Sequence, residues 1–261
     1  LSQGVGGGWD LFAAALTFAA LLIPVGTQTR TGLLCIGLLG VLALRSVKRR
    51  FLYLGVAGAV AVAAVPFLPD SYMERINTIE NHKSDQSAST RVAVWMWTLD
   101  YVKDHPFGGG FDAYRGNNLQ VETVKELGPD NNAKLDVQVH EEKARAYHSA
   151  YFEMLGEQGY PGFLLWAWIH FLGLWQMERL RRRWGKEKAE HLAWIAPLAN
   201  ALQMAQLIYL LGALFIGIAF QPVMFMLIAV QCGLWSYAKR IGAPARQPLR
   251  TGPPPLRVSA A

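Results

Sequence analysis

The chain has 261 residues, 52% hydrophobic and 17% charged, with a formal net charge of +6. Long apolar blocks alternate with short basic clusters, which argues against a soluble α-helical core, since soluble domains rarely stack so many apolar runs. The basic excess sits in loops between those blocks, so it reads as membrane topology and not as a nucleic-acid footprint.

A helix needs roughly 17 to 25 mainly apolar residues to cross a bilayer. Six stretches are candidates: 10–26, 31–45, 51–69, 161–177, 198–220 and 222–238. The predicted fold is an all-α polytopic membrane protein. Three transmembrane helices fall in 1–69, a large loop with amphipathic helices in 70–160, three more transmembrane helices in 161–240, and a Pro-rich disordered tail in 241–261. "RSVKRR" (45–50) carries four basic residues, "RLRRRWGKEK" (179–188) six, and the segment from Lys239 onward five. Six spans place these three clusters on one side, which the positive-inside rule makes cytoplasmic. Segment 70–160 then faces outward, with nine basic and fifteen acidic residues. The turn "TQTRTG" (27–32) shares that face. The sequence begins at Leu1 without the charged n-region of a signal peptide. Cys35 and Cys232 lie in apolar spans and read as small buried hydrophobes.

Any chemistry is therefore expected on the outer face. An ATP-driven reaction is not, because no glycine loop with its Lys-Ser/Thr is present. Arg30 falls at the start of an apolar helix capped by Thr27 or Thr29, where a cation near hydrocarbon usually faces a partner or cavity. In the loop, Val92, Trp95, Met96, Leu99 and Val102 have the spacing of an amphipathic helix. Ser89 or Thr90 is its expected N-cap. That puts Arg91 in the first turn, where the dipole disfavours a cation unless an anion is bound there. His105-Pro106 should end this helix, and Gly108 to Gly110 read as a flexible turn. The segment 113–139 lacks periodicity, and "NNLQVETVKELGPDNN" is expected to hold at most one short helix.

The last polar stretch, "VHEEKARAYHSAYFEMLGEQGYPG", contains two false leads. His140 and His148 are eight residues apart, whereas a helical zinc pair needs four. Ser149 beside His148 lacks a nucleophile-elbow setting and reads as a helix-start residue. His148 is placed near that helix start, where the dipole favours neutral imidazole, a competent general base. The helix should end at Gly156 or Gly159, and Pro161 opens the next span.

Three motifs, "TQTRTG", "STRVAVWMW…HPFGGGF" and "YHSAYFEMLGEQGYPG", in this order and topology, resemble those of the O-antigen ligase / O-antigen polymerase C-terminal superfamily. Within it the chain is most similar to O-glycosylation ligases associated with exosortase systems. The resemblance implies the C-terminal half of a GT-C-like fold in the bacterial inner membrane, with its active site on the periplasmic face. It implies transfer of a glycan from undecaprenyl diphosphate to an acceptor hydroxyl, on lipid A-core or a protein Ser/Thr, with inversion and without metal or cofactor. The partners it implies are the polyprenyl-linked donor, the acceptor and membrane lipids. By motif match the family's two arginines fall on Arg30 and Arg91 and its histidine on His148. Arg145 and Tyr147 flank the histidine as candidate substrate contacts. A polymerase of the same superfamily, or a glycolipid-binding subunit without activity, are the alternative functions. Family members have twice the six spans read here, so the sequence is expected to be the C-terminal part of a longer protein or a truncated homologue.

Overall fold

The computed structural model of the chain describes residues 3–27, 29–46, 52, 55, 58–59, 86–127, 134–187 and 189–242. Helix α1 spans Gln3–Gly26 and α2 spans Arg30–Ala43. Helix α3 spans Gln86–Asp104. Strands β1 (Asn118–Leu127) and β2 (Lys134–Lys143) pair antiparallel, with Asn118 opposite Lys143. Helices α4 (Ala150–Trp184), α5 (Ile195–Gly212) and α6 (Pro222–Ile241) complete the order.

The protein is mostly helical, but the all-α expectation needs one correction. Residues 118–127 and 134–143 pair as two antiparallel strands rather than forming a short helix, and His140 stands on β2 opposite Val121. Val121, Thr123, Val124, Val137 and Val139 supply β-branched residues suited to a pleated surface. Of the expected span 51–69, only Leu52, Gly55, Gly58 and Ala59 are described, and they are helical. The tail from 243 lies outside the described residues. Span 198–220 is revised: α5 stops at Gly212 and 213–221 folds as a loop, in which Phe215 N–H donates to the Gly212 carbonyl at 3.0 Å.

Among the described residues one helical stretch, Glu190–Gly212, is long and apolar enough to cross a membrane, and Leu11–Pro24 and Arg30–Ala43 are shorter apolar helices. Large apolar side chains nonetheless coat the bundle: Leu11, Phe12 and Leu16 on α1, Leu164 and Trp168 on α4, and Val223 and Met226 on α6 are all exposed. Exposed apolar surface of that extent marks contact with a membrane or another protein. Cys35 and Cys232 are free thiols, but they are not the buried pair expected: Cys35 is half-buried and Cys232 is exposed.

Inside, Met177, Leu180 and Trp184 of α4 pack on Ile195 and Ala199 of α5 and Leu234 of α6. Above that layer three helices are tied by side-chain amides. Gln206 Nε2 donates to the His170 carbonyl at 2.9 Å and lies 3.1 Å from its Nδ1, and Gln231 Nε2 donates to Gln206 Oε1 at 2.9 Å. Gln206 and Gln231 are fully buried. An amide left unpaired in an apolar layer is costly, so such pairs hold helices together.

These contacts define two ends. At one end Arg45 pairs with Glu178 at 3.2 Å, Arg181 grips the same carboxylate at 2.8 Å, and Arg183 reaches the Gly242 carbonyl. Hydrogen bonds from Arg181 above all, and then from Arg182, hold the Glu178 carboxyl well below its usual range. At the other end Cys35 lies against the Ile208 carbonyl, while Ala150 N–H donates to the Ala213 carbonyl at 2.8 Å. The starts of α2 and α4 and the end of α5 thus share that second end, and α3 and the hairpin are built upon it.

Candidate functional site

The α1–α2 turn is tight. Thr29 is the N-cap, its N–H donates to the Pro24 carbonyl at 3.2 Å, and Arg30 opens α2 with an exposed side chain. A methyl group on Gly32 would overlap the Pro24 ring and Thr29 Oγ1, so this motif glycine lets the hairpin close.

Helix α3 starts earlier than its sequence suggests. It begins at Gln86, so Arg91 lies in the second turn, and Ser89 and Thr90 are helical residues, not caps. Its buried face is also different: Thr90, Val94, Thr98 and Val102 point inward, while Val92, Met96 and Leu99 are exposed. Packing of the small face against Leu119 and Tyr147 overrode both the capping preference of Ser and Thr and the stronger apolar stripe. Free N–H groups at a helix start are therefore not beside Arg91, and the anion-binding argument rests on its guanidinium alone.

The segment Ala144–Ser149 is fixed from three directions. Asn117, 2% exposed, donates from Nδ2 to the Arg145 carbonyl at 2.7 Å and accepts the Arg145 N–H at 2.9 Å. The Trp95 indole donates to the Tyr147 carbonyl at 2.9 Å and stacks on Phe152 with centroids 4.9 Å apart. Beyond the site, Ala150 N–H and the Ser149 hydroxyl both reach the Ala213 carbonyl. Asn117→Ala is expected to cost roughly 1–3 kcal/mol, because two buried backbone groups lose their partner. A thermal unfolding midpoint indistinguishable from that of the unmodified protein would contradict this.

His148 stands in the middle of that frame with φ 50, a left-handed conformation rare outside glycine. Such strain costs about 1–3 kcal/mol and persists only where neighbours enforce it. The reversal separates Tyr147, 3% exposed, from the N-cap Ser149, 1% exposed, and leaves His148 exposed between them. Partial dehydration by the packed segment lowers the imidazole pKa, and the charges of Arg91 and then Arg145 lower it further. His148 thus lies within reach of the charges of Arg91 and Arg145. Arg30 stands at the same end of the bundle. Tyr147 is turned inward, its ring edge-on to Tyr114 at 5.7 Å, and burial pushes its hydroxyl well above the usual phenol range. Arg145 also pairs with Glu142 at 3.8 Å.

The glycine motifs form a joint, not a flexible turn. Gly109 N–H donates to the Gly156 carbonyl at 3.0 Å, Gly110 N–H to Glu157 at 2.9 Å, and Tyr160 N–H to Pro106 at 2.9 Å. Gly159 interrupts α4 at φ 65 and ψ −166, a region essentially confined to glycine, and its α-carbon faces the Pro106–Gly108 backbone without room for a methyl group. Glu157 accepts the Asp112 N–H at 3.0 Å and Glu153 accepts the Ala219 N–H at 2.9 Å. Burial raises the pKa of both carboxyls. Neither glutamate nor Asn117 stood out in the sequence, and Trp95 did so only as a member of the apolar stripe, because each acts on a partner distant along the chain.

An apolar bundle with a polar, cation-bearing site built on one end is the form of an integral membrane protein with its chemistry at one face. A family model described as O-antigen ligase matches residues 15–167, more than half of the chain, from within α1 to the upper turns of α4. The chain belongs to the O-antigen ligase family, whose members are integral inner-membrane enzymes of the ligase or polymerase type in lipopolysaccharide biosynthesis. No curated protein and no solved structure matches the chain.

Proposed function

We propose that the chain transfers a glycan from undecaprenyl diphosphate to an acceptor hydroxyl, of lipid A-core or a protein, at the periplasmic face of the inner membrane. The observation that carries this reading is an exposed imidazole held at a left-handed turn, its pKa lowered by partial dehydration and then by the charges of Arg91 and Arg145. In this reading six helices cross the membrane, the basic end is cytoplasmic, and 70–160 forms the periplasmic loop.

His148 takes the proton of the acceptor hydroxyl as its oxygen attacks the anomeric carbon. The bond from that carbon to the diphosphate oxygen breaks, and the configuration inverts. Charge grows on the leaving diphosphate, and Arg91 with Arg30 stabilises it, a task that many phosphate-transfer sites give to a divalent ion. Arg145 adds positive charge beside the base, and Tyr147 positions the backbone from which His148 projects.

The test supplies purified polyprenyl-linked donor to the reconstituted full chain, with and without acceptor. Acceptor-dependent transfer that Arg30→Ala and Arg91→Ala each abolish, at unchanged membrane insertion, is expected. Normal transfer by those variants would overturn the assignment. Chain growth on the lipid carrier without acceptor would instead identify a polymerase.

A further inference from the structure

At the basic end, the last turns of α4 and α6 run side by side and enclose a cavity of about 380 Å³. That lies within the roughly 300–1,000 Å³ range of small-ligand sites. Its walls alternate tryptophan and cation. Trp175, Arg179, Arg183 and Trp184 come from α4, and Trp235 and Lys239 from α6. The spacing explains the convergence: Trp175, Arg179 and Arg183 recur every four residues on one helix face, as do Trp235 and Lys239.

Each cation rests on a ring. The Arg179 guanidinium lies 4.8 Å from the Trp175 centroid, that of Arg183 5.9 Å from Trp184, and the Lys239 ammonium 5.0 Å from Trp235. A ring holds a cation in place but does not neutralise it. No carboxylate among the described residues pairs with these three, because Glu178 is taken by Arg45, Arg181 and Arg182. Trp184 is 8% exposed, and its indole N–H has no acceptor. Three positive charges with no carboxylate partner among the described residues thus converge on one pocket, at the level where apolar helix surface gives way to polar chain.

We propose that this cavity binds the phosphate headgroup of an anionic phospholipid of the surrounding leaflet. Tryptophan belongs at the headgroup level because its ring is apolar and its N–H polar. Basic pockets between helices on the cytoplasmic side suit anionic headgroups, and each nearby cation strengthens attraction to the charged leaflet. The flanking exposed Trp168 and Phe171 offer the acyl chains an apolar wall. The choice of leaflet rests on the membrane orientation proposed above, while the binding chemistry does not.

The experiment is lipid retention by the detergent-solubilised full chain, read by native mass spectrometry. Phosphatidylglycerol and phosphatidylcholine of identical acyl chains are the probes, with inorganic phosphate alone as a further arm. Preferential retention of phosphatidylglycerol is expected. It should weaken about fivefold for each cation removed in Arg179→Gln, Arg183→Gln and Lys239→Gln. Arg183→Lys should keep the preference, which separates charge from fold. Equal retention of the two lipids would overturn the proposal, as would an unaltered preference in the triple variant. Retention of inorganic phosphate in place of lipid would overturn the lipid assignment. Glycan transfer is a separate readout, so failure here leaves that reading standing, and loss of transfer leaves this one standing.

Discussion

Replacing His148 with alanine is expected to lower glycan transfer by roughly 10²–10⁴, the usual worth of a positioned general base. Alanine at φ 50 is itself strained, so a loss of fold could imitate a loss of chemistry. His148→Asn removes that ambiguity, because asparagine tolerates the left-handed region but cannot take the proton. His148→Asn should insert and unfold like the parent while failing to transfer. A His148→Asn protein with normal transfer would end the role of the base. The pH profile carries a second test. Dehydration, Arg91 and Arg145 all lower the imidazole pKa from 6.5, so the neutral base persists below that pH and activity falls only further into acid. Arg145→Gln removes one of the charges that depress it. The acid limb should then move toward higher pH, whereas a merely structural role for Arg145 would lower the rate without moving the limb. Lowering the pKa also weakens the base, so the arginines trade proton affinity for the fraction of imidazole that is ready to react.

Gly159→Ala is expected to be among the most damaging single-methyl additions in the chain. The new Cβ meets the Pro106 carbonyl and the Gly108 N–H face, and alanine cannot hold φ 65 with ψ −166 without strain. The backbone term alone costs about 1–3 kcal/mol, and overpacking adds about 1–3 more. Gly108→Ala strikes the opposite side of the same contact at φ 80 and should behave alike. A thermal midpoint within error of the parent for both would show that the joint yields easily.

The local setting of His148 was legible because its signal is local: a histidine before a serine cap, a short helix, and glycines leading to a proline. Arg91 was legible as a residue but not in its setting. Thr90 and Thr98 look polar, so a stripe count favours Val92, Met96 and Leu99, yet the threonines are small enough to let α3 approach Tyr147. Thr98 settles its hydroxyl on the Val94 carbonyl at 2.8 Å. The hairpin escaped because Val124 breaks the polar–apolar alternation of β1, and its stabilising partners lie across the turn on β2. The Asn117–Arg145 bonds span 28 residues, and no spacing rule reaches that far. Along the sequence the glycines of "HPFGGGF" and "GEQGYPG" look like separate punctuation. Only their pairing explains why both motifs need them.

The Gln206 amide, deep in the apolar layer, determines how high the imidazole stands. Gln206 is bonded to α4 on one side and to α6 on the other. A one-residue slide of α5 would turn it about 100° away from both partners, so the helices lock at a single height. Seven residues further along α5, about 10 Å at 1.5 Å per residue, lies the Ala213 carbonyl on which Ser149 and Ala150 rest. A buried amide with no part in proton transfer therefore acts as the datum from which the reactive edge is levelled.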